Sequence, residues 1–185
     1  MFRRAVLPIL LFTIIACLPA GAEQAQQTQK PLRDPDVIFV PTPHEVVEEM
    51  LKLAKVGPND IVYDLGSGDG RIPIAAVEKF NAKSATGIDI NPERIKEANA
   101  NHAKSSAGNR VRFILGDMFE ESIKDATVVT LYLLPSLNVK LIPKFRAELK
   151  PGTRIVSQSF DMQGEWEPEQ TITVQGRPIY LWTIK

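Results

Sequence analysis

Apolar residues recur at Val46, Val47, Met50, Leu51 and Ala54, the spacing of a helix that buries one face, and the run stops at Gly57-Pro58. Thr42-Pro43-His44-Glu45 opens it as a capping box would, with Thr42 as cap, proline at the first helical position and Glu45 returning a hydrogen bond. The period then changes. Ile61-Val62-Tyr63-Asp64-Leu65 is a short apolar run ending in glycines, which predicts a buried strand.

From there the chain alternates. Gly70 to Phe80 predicts a helix, Ala85 to Ile90 a strand, and Asn91-Pro92 the cap and first position of a helix reaching Ala107. Val111 to Leu115 and Thr127 to Leu133 predict strands, Ser136 to Leu149 a helix with a kink at Pro143, and Thr153 to Ser157 another strand. Such alternation implies an α/β fold: a doubly wound, mostly parallel sheet with helices on both faces. The tail departs from it, because Thr171 to Val174 and Ile179 to Ile184 flank Gln175-Gly176-Arg177-Pro178 and predict a closing antiparallel hairpin.

The first 36 residues follow neither period. Arg3 and Arg4 precede an apolar stretch from Ala5 to Leu18, shorter than the roughly 20 residues a membrane span needs, and Ala20-Gly21-Ala22 offers a cleavage site. Residues 1–22 therefore read as a signal peptide, giving a periplasmic or secreted protein. Ile14-Ile15-Ala16-Cys17 supports a second reading, a lipoprotein signal with Cys17 lipidated and the protein held at a membrane. Residues 23–36, rich in glutamine with Pro31 and Pro35, read as a flexible tether, and 37–185 as the folded domain.

Length, charge and cysteine content narrow the functional classes. The 185 residues suit one domain, here expected to act as a monomer. Twenty-two Lys+Arg balance 22 Asp+Glu, which disfavours a protein that holds nucleic acid through its phosphates. A lone cysteine excludes an internal disulfide and a cysteine-rich zinc site, and no His/Cys/carboxylate spacing suggests another metal.

A doubly wound sheet binds ligands beyond the carboxyl ends of its strands, so the residues following each strand carry the chemistry. Gly66-Ser67-Gly68-Asp69-Gly70 follows the first. Arg71 occupies the position where a dinucleotide fingerprint has its third glycine, and Asp64 and Asp69 would repel a pyrophosphate. The same carboxylates attract the amino group and sulfonium of S-adenosylmethionine. Asp89 ends the second strand, where an acid accepts from two ribose hydroxyls, and Asp117-Met118 follows the third, where an acid and an apolar neighbour suit an adenine. The candidate cofactor-binding set is thus Asp64, Gly66, Ser67, Gly68, Asp69, Asp89, Asp117 and Met118.

With these residues in this order, Val37 to Lys185 resembles the class I (seven-stranded, Rossmann-like) S-adenosylmethionine-dependent methyltransferases, the terminal hairpin supplying strands six and seven. Val40-Pro41-Thr42, the Gly-Ser-Gly-Asp-Gly-Arg loop and Leu131-Tyr132-Leu133-Leu134-Pro135 look most like the lysine methyltransferases of the ATP synthase c-subunit and the adenine nucleotide translocase, and their bacterial relatives. The resemblance implies a protein lysine N-methyltransferase. Enzymes that methylate planar exocyclic amines usually carry an Asn/Asp-Pro-Pro-Tyr-like element after strand four; Leu133-Leu134-Pro135-Ser136 lacks its polar groups. Tyr132, Leu133 and Pro135 are then expected to line a slot for an alkyl amine, whose pKa desolvation would lower. A methyltransferase of a small molecule, lipid or quinone, and a silent nucleoside-binding module, remain alternatives.

Other residues have plainer readings. Asn91 is expected to cap its helix, and His44 and His102 to face solvent. Trp166 reads equally as a lid residue or as a loop anchor.

Overall fold

The computed structural model describes residues 32–35 and 38–185, so the expected signal and lipidation site at Cys17 and most of the expected tether lie outside the described residues. Helix α1 (His44–Leu53) is followed by β1 (Ile61–Leu65), α2 (Arg71–Glu78), β2 (Ser84–Asp89), α3 (Pro92–His102), β3 (Val111–Leu115), β4 (Val128–Leu131), α4 (Pro135–Glu148), β5 (Arg154–Gln158), β6 (Gln170–Val174) and β7 (Arg177–Thr183). The strands of the described residues form one seven-stranded sheet in the order β3-β2-β1-β4-β5-β7-β6. The first five are parallel, and β7 runs antiparallel between β5 and β6, as the alternation and the final hairpin predict.

The order reverses between β1 and β4, so the connections leaving β1 and β4 diverge and open a crevice there. Two apolar cores hold the sheet around it. Val46, Val47, Met50 and Leu51 of α1 and Ile72 and Ala76 of α2 pack with Val62, Val156 and Ile179 on one face. On the other, Leu141, Ile142 and Phe145 of α4 pack with Leu65, Ile88, Leu131 and Trp182. Alternation along β1 sends Val62 and Asp64 to the first face and Tyr63 and Leu65 to the second.

Several local expectations are corrected. The α1 capping box does not form: the helix has no side-chain cap, and Glu45 instead accepts from the Gln175 amide in the hairpin turn. Thr42 is buried, and its carbonyl serves Arg71. Helix α3 stops at His102 rather than at Ala107, and the His102 ring meets the Gly108 carbonyl at 2.7 Å. Strand β4 ends at Leu131, two residues early, which releases Tyr132 and Leu133 from the ladder. Helix α4 starts at Pro135, one residue early, and continues through Pro143. The hairpin turn is Gln175-Gly176 alone, both with positive φ, because Arg177 and Pro178 already pair with β6.

Candidate active site

The cleft above the β1/β4 crevice opens to solvent and is lined by residues that follow β1, β2, β3 and β4, where a doubly wound sheet binds its ligand. Asp64, Gly66, Ser67, Asp69, Asp89, Met118, Tyr132 and Leu133 of the expected set all line it. Gly68 stands at its wall through a contact with Phe39, and Asp117 lies between the lining residues Gly116 and Met118. Pro135 does not line the cleft; it occupies the first turn of α4, where its missing N–H costs nothing.

The glycine loop is shaped by backbone bonds to the neighbouring strand. Gly66 and Ser67 both donate to the Ile88 carbonyl, at 2.9 and 3.0 Å. Gly66 and Gly68 have φ of 78° and 53°. A β-carbon on Gly66 would stand 2.9 Å from Leu133 Cδ2, and one on Gly68 only 2.2 Å from the Phe39 ring. The left-handed backbone favours glycine at both, and a side chain there would also displace Leu133 or Phe39. Gly87 on β2 leaves room for the Ser67 side chain, whose buried hydroxyl finds no partner among the described residues.

The carboxylates have different environments. Asp89 accepts from the Gly68 amide on Oδ2 at 2.8 Å and from the Asn91 amide on Oδ1 at 2.9 Å, leaving lone pairs on both oxygens for a vicinal diol. Asn91 caps α3 as expected, accepting from the Glu93 amide. Asp64 is 2% exposed and accepts from Thr130 Oγ1 at 2.6 Å. Burial pushes its carboxyl up to about 7, and the charges of Asp89 and Asp69 push the same way against the Thr130 bond. A cation beside it would reverse much of that. Asp69 already has a cation: Arg71 holds it through two nitrogens, at 2.9 and 2.5 Å, and donates at 2.7 Å to the Thr42 carbonyl. Although burial raises the Asp69 carboxyl, Arg71 outweighs it and leaves the group below its ordinary value. Asp69 therefore ties the loop to the start of α1.

Sequence reasoning missed part of this site. Thr130 escaped because it sits within an apolar strand, Val128-Val129-Thr130-Leu131, where its polarity was the one available signal. Arg33, Pro35, Ile38, Phe39 and Val40 line the cleft from outside, with Arg94 of α3 placed 4.9 Å from the Phe39 ring centroid. The apolar triplet Ile38-Phe39-Val40 was the readable hint there. Trp166 resolves as a loop anchor: it packs against Trp182, whose indole N–H donates to the Trp166 carbonyl at 2.8 Å.

The ligand chemistry follows from this wall. An unpartnered buried hydroxyl, an ionisable buried acid without a cation, and a diol-ready Asp89 fit the amino, sulfonium and ribose groups of S-adenosylmethionine, while no phosphate-cradling cation lies within the loop itself.

Comparison with known proteins agrees. Residues 64–170 match the model of the ANTKMT methyltransferase domain. A protein-lysine N-methyltransferase of Saccharolobus islandicus is 49% identical over 154 residues, covering 81% of this chain and 95% of its own. The mouse adenine nucleotide translocase lysine N-methyltransferase is 34% identical over 122 residues, 66% of this chain; the match spans 52% of its length. Among solved structures, an RNA methyltransferase from Salinibacter ruber in complex with S-adenosyl-L-homocysteine superposes with a TM-score of 0.76 at 50% identity, covering 78% of this chain and 94% of that one. The ribosomal protein L11 methylase of Lactobacillus delbrueckii, at 17% identity and a TM-score of 0.63, shares the fold. With the match spanning most of the folded chain and the donor cleft formed as that match requires, the chain belongs to the ANTKMT methyltransferase family and is a class I S-adenosylmethionine-dependent methyltransferase.

Proposed function

We propose that the methyl acceptor is the ε-amine of a protein lysine. The observation that carries this reading is the mixed lining of one cleft: the carboxylates Asp64 and Asp89 and the glycine loop meet the apolar or aromatic side chains of Tyr132, Leu133 and Leu137, with Leu133 directly against Gly66. The relative from Saccharolobus islandicus, named a protein-lysine N-methyltransferase, supports it over nearly its whole length.

S-adenosylmethionine, when bound, supplies an electrophilic methyl group on a positively charged sulfur. Asp89, through the lone pairs left free by Gly68 and Asn91, would hold the ribose, and Asp117 with Met118 the adenine. Asp64 and Ser67 would face the donor's charged end. Leu133 and Leu137 exclude water around the reacting centre, and that favours the neutral amine, since a free lysine is only about one part in a thousand neutral at pH 7. Tyr132, its ring stacked on Phe160 at 6.2 Å and 17°, orients the amine at the slot. The amine nitrogen bonds to the methyl carbon as the carbon–sulfur bond breaks, and the nitrogen then sheds a proton. Orientation in a dry pocket supplies the rate.

The Salinibacter ruber relative, named an RNA methyltransferase, favours a second reading in which the acceptor is RNA. The balance of 22 basic and 22 acidic residues gives no surplus for a phosphate backbone. Labelled donor, followed by digestion of protein and RNA fractions to monomers, tests the two: methyl-lysine is expected, and label confined to RNA, lipid or a small solute refutes the lysine assignment. The proposal also places the enzyme, as a monomer, outside the cytosol or at a membrane through its N-terminal segment. Mass spectrometry of the native N-terminus, expected at Glu23 or at lipidated Cys17, checks this, and an intact Met1 in a soluble cytosolic fraction refutes it.

A further inference from the structure

Three donors converge on the Asp117 carboxylate. Arg33 gives Nε to Oδ2 at 2.6 Å and a terminal nitrogen to Oδ1 at 3.2 Å, and the Phe119 amide gives to Oδ1 at 2.9 Å. An ionised carboxylate offers about four lone-pair positions, so two are filled on Oδ1 and one on Oδ2, and a single position on Oδ2 is left. Arg33 itself lines the cleft, as do Gly116 and Met118 on either side of Asp117, so the Asp117 carboxylate is held by a residue of the cleft wall. The guanidinium is held in turn, 5.4 Å from the centroid of the Phe119 ring.

We infer that Arg33 is a positioning residue that sets the purine specificity of the donor site: it turns Asp117 so that the remaining lone pair on Oδ2 accepts an exocyclic amino group, admitting an adenosyl ligand and rejecting an inosyl one. The inference rests on the reading that Asp117 receives the purine. Partial burial pulls the Asp117 carboxyl upward, yet Arg33, the Phe119 amide and Lys140 outweigh it and hold the group below its ordinary value. Asp117 is thereby kept an acceptor alone. The 6-amino group of adenine meets it with a hydrogen, whereas the 6-carbonyl of hypoxanthine sets lone pair against lone pair. A neutral or rotated Asp117 would lose that discrimination, because a protonated carboxyl donates as well as accepts. The fork geometry of arginine matters here, since two parallel bonds fix the carboxylate plane as one ammonium bond does not.

The test uses the full chain, with S-adenosylhomocysteine and S-inosylhomocysteine titrated by calorimetry into the parent and into R33Q, R33K and D117N. The parent is expected to prefer the adenosyl ligand by about 100-fold, R33Q to cut that preference to about tenfold, R33K to fall between, and D117N to abolish it. The ratio of the two affinities is the readout, because a merely structural role for Arg33 would weaken both ligands alike. An undiminished ratio in R33Q with its loss in D117N overturns the inference while sparing Asp117 as the purine acid. An undiminished ratio in both variants overturns the reading of Asp117 beneath it.

Discussion

At the donor end of the cleft, polar groups are fixed by the backbone. Asp89 is bound by two amides of its own crevice, Asp64 by Thr130 of the adjacent strand, and the glycine loop by the Ile88 carbonyl. At the acceptor end the wall is apolar and open. Tyr132 and Leu133 lie just past the last rung of β4, and Ile38, which also lines the cleft, is 86% exposed. Hydrogen-bonded groups on a strand end admit little displacement, whereas apolar side chains on a turn adapt to what they contact. The donor end thus selects one ligand, and the acceptor end selects a class.

The sharpest way to break the donor end is Gly68→Val. Its β-carbon would overlap Phe39 on a backbone at φ 53°, and S-adenosylhomocysteine affinity by calorimetry is expected to drop by more than about 100-fold, with the fold retained by circular dichroism. Asp89→Ala comes next. Loss of its charge-assisted bonds should weaken the same ligand by about 2 to 3 kcal/mol, and an unchanged affinity would place the ribose elsewhere.

Asp64 sharpens the comparison through pH. Its carboxyl titrates near 7 in the folded protein against 3.8 when free, so between those values the folded state binds more protons than the unfolded one. Stability from this group is fully present below pH 3.8 and is lost as pH climbs toward 7. The ligand-free melting temperature should accordingly fall across that window, and Asp64→Asn should flatten the fall. Affinity for the sulfonium donor should rise as Asp64 ionises, more than for S-adenosylhomocysteine, which lacks that charge. The smallest effect is expected at the acceptor end: Tyr132→Phe should keep donor affinity and lower turnover severalfold, and a loss of folding instead would assign Tyr132 to the core.

The strands and their order were legible because a buried parallel strand must be apolar and a βαβ connection leaves few topologies. Asp64, Asp89 and the glycine loop were legible for a related reason, since each follows a strand by a fixed offset. The Thr42–Glu45 box was misread, because local capping lost to long-range partners: Gln175 claims Glu45, and the buried Thr42 lends its carbonyl to Arg71. Arg33 gave no signal, and Phe39 only the apolar triplet it belongs to. Their contacts with Asp117 and Gly68 cross 84 and 29 positions of sequence, and no periodicity links them.

The position of Phe39 separates two boundaries that are usually treated as one. All seven strands and four α-helices of the described residues lie from His44 onward, so the sheet and its two cores are built without Arg33, Pro35 or Phe39. The donor cleft is not, because Arg33, Pro35, Ile38, Phe39 and Val40 form its outer wall. The shortest chain able to fold is therefore shorter than the shortest chain able to bind. Natural variation at Arg33, Pro35, Ile38 or Phe39 is therefore expected to change thermal melts little and ligand exchange strongly.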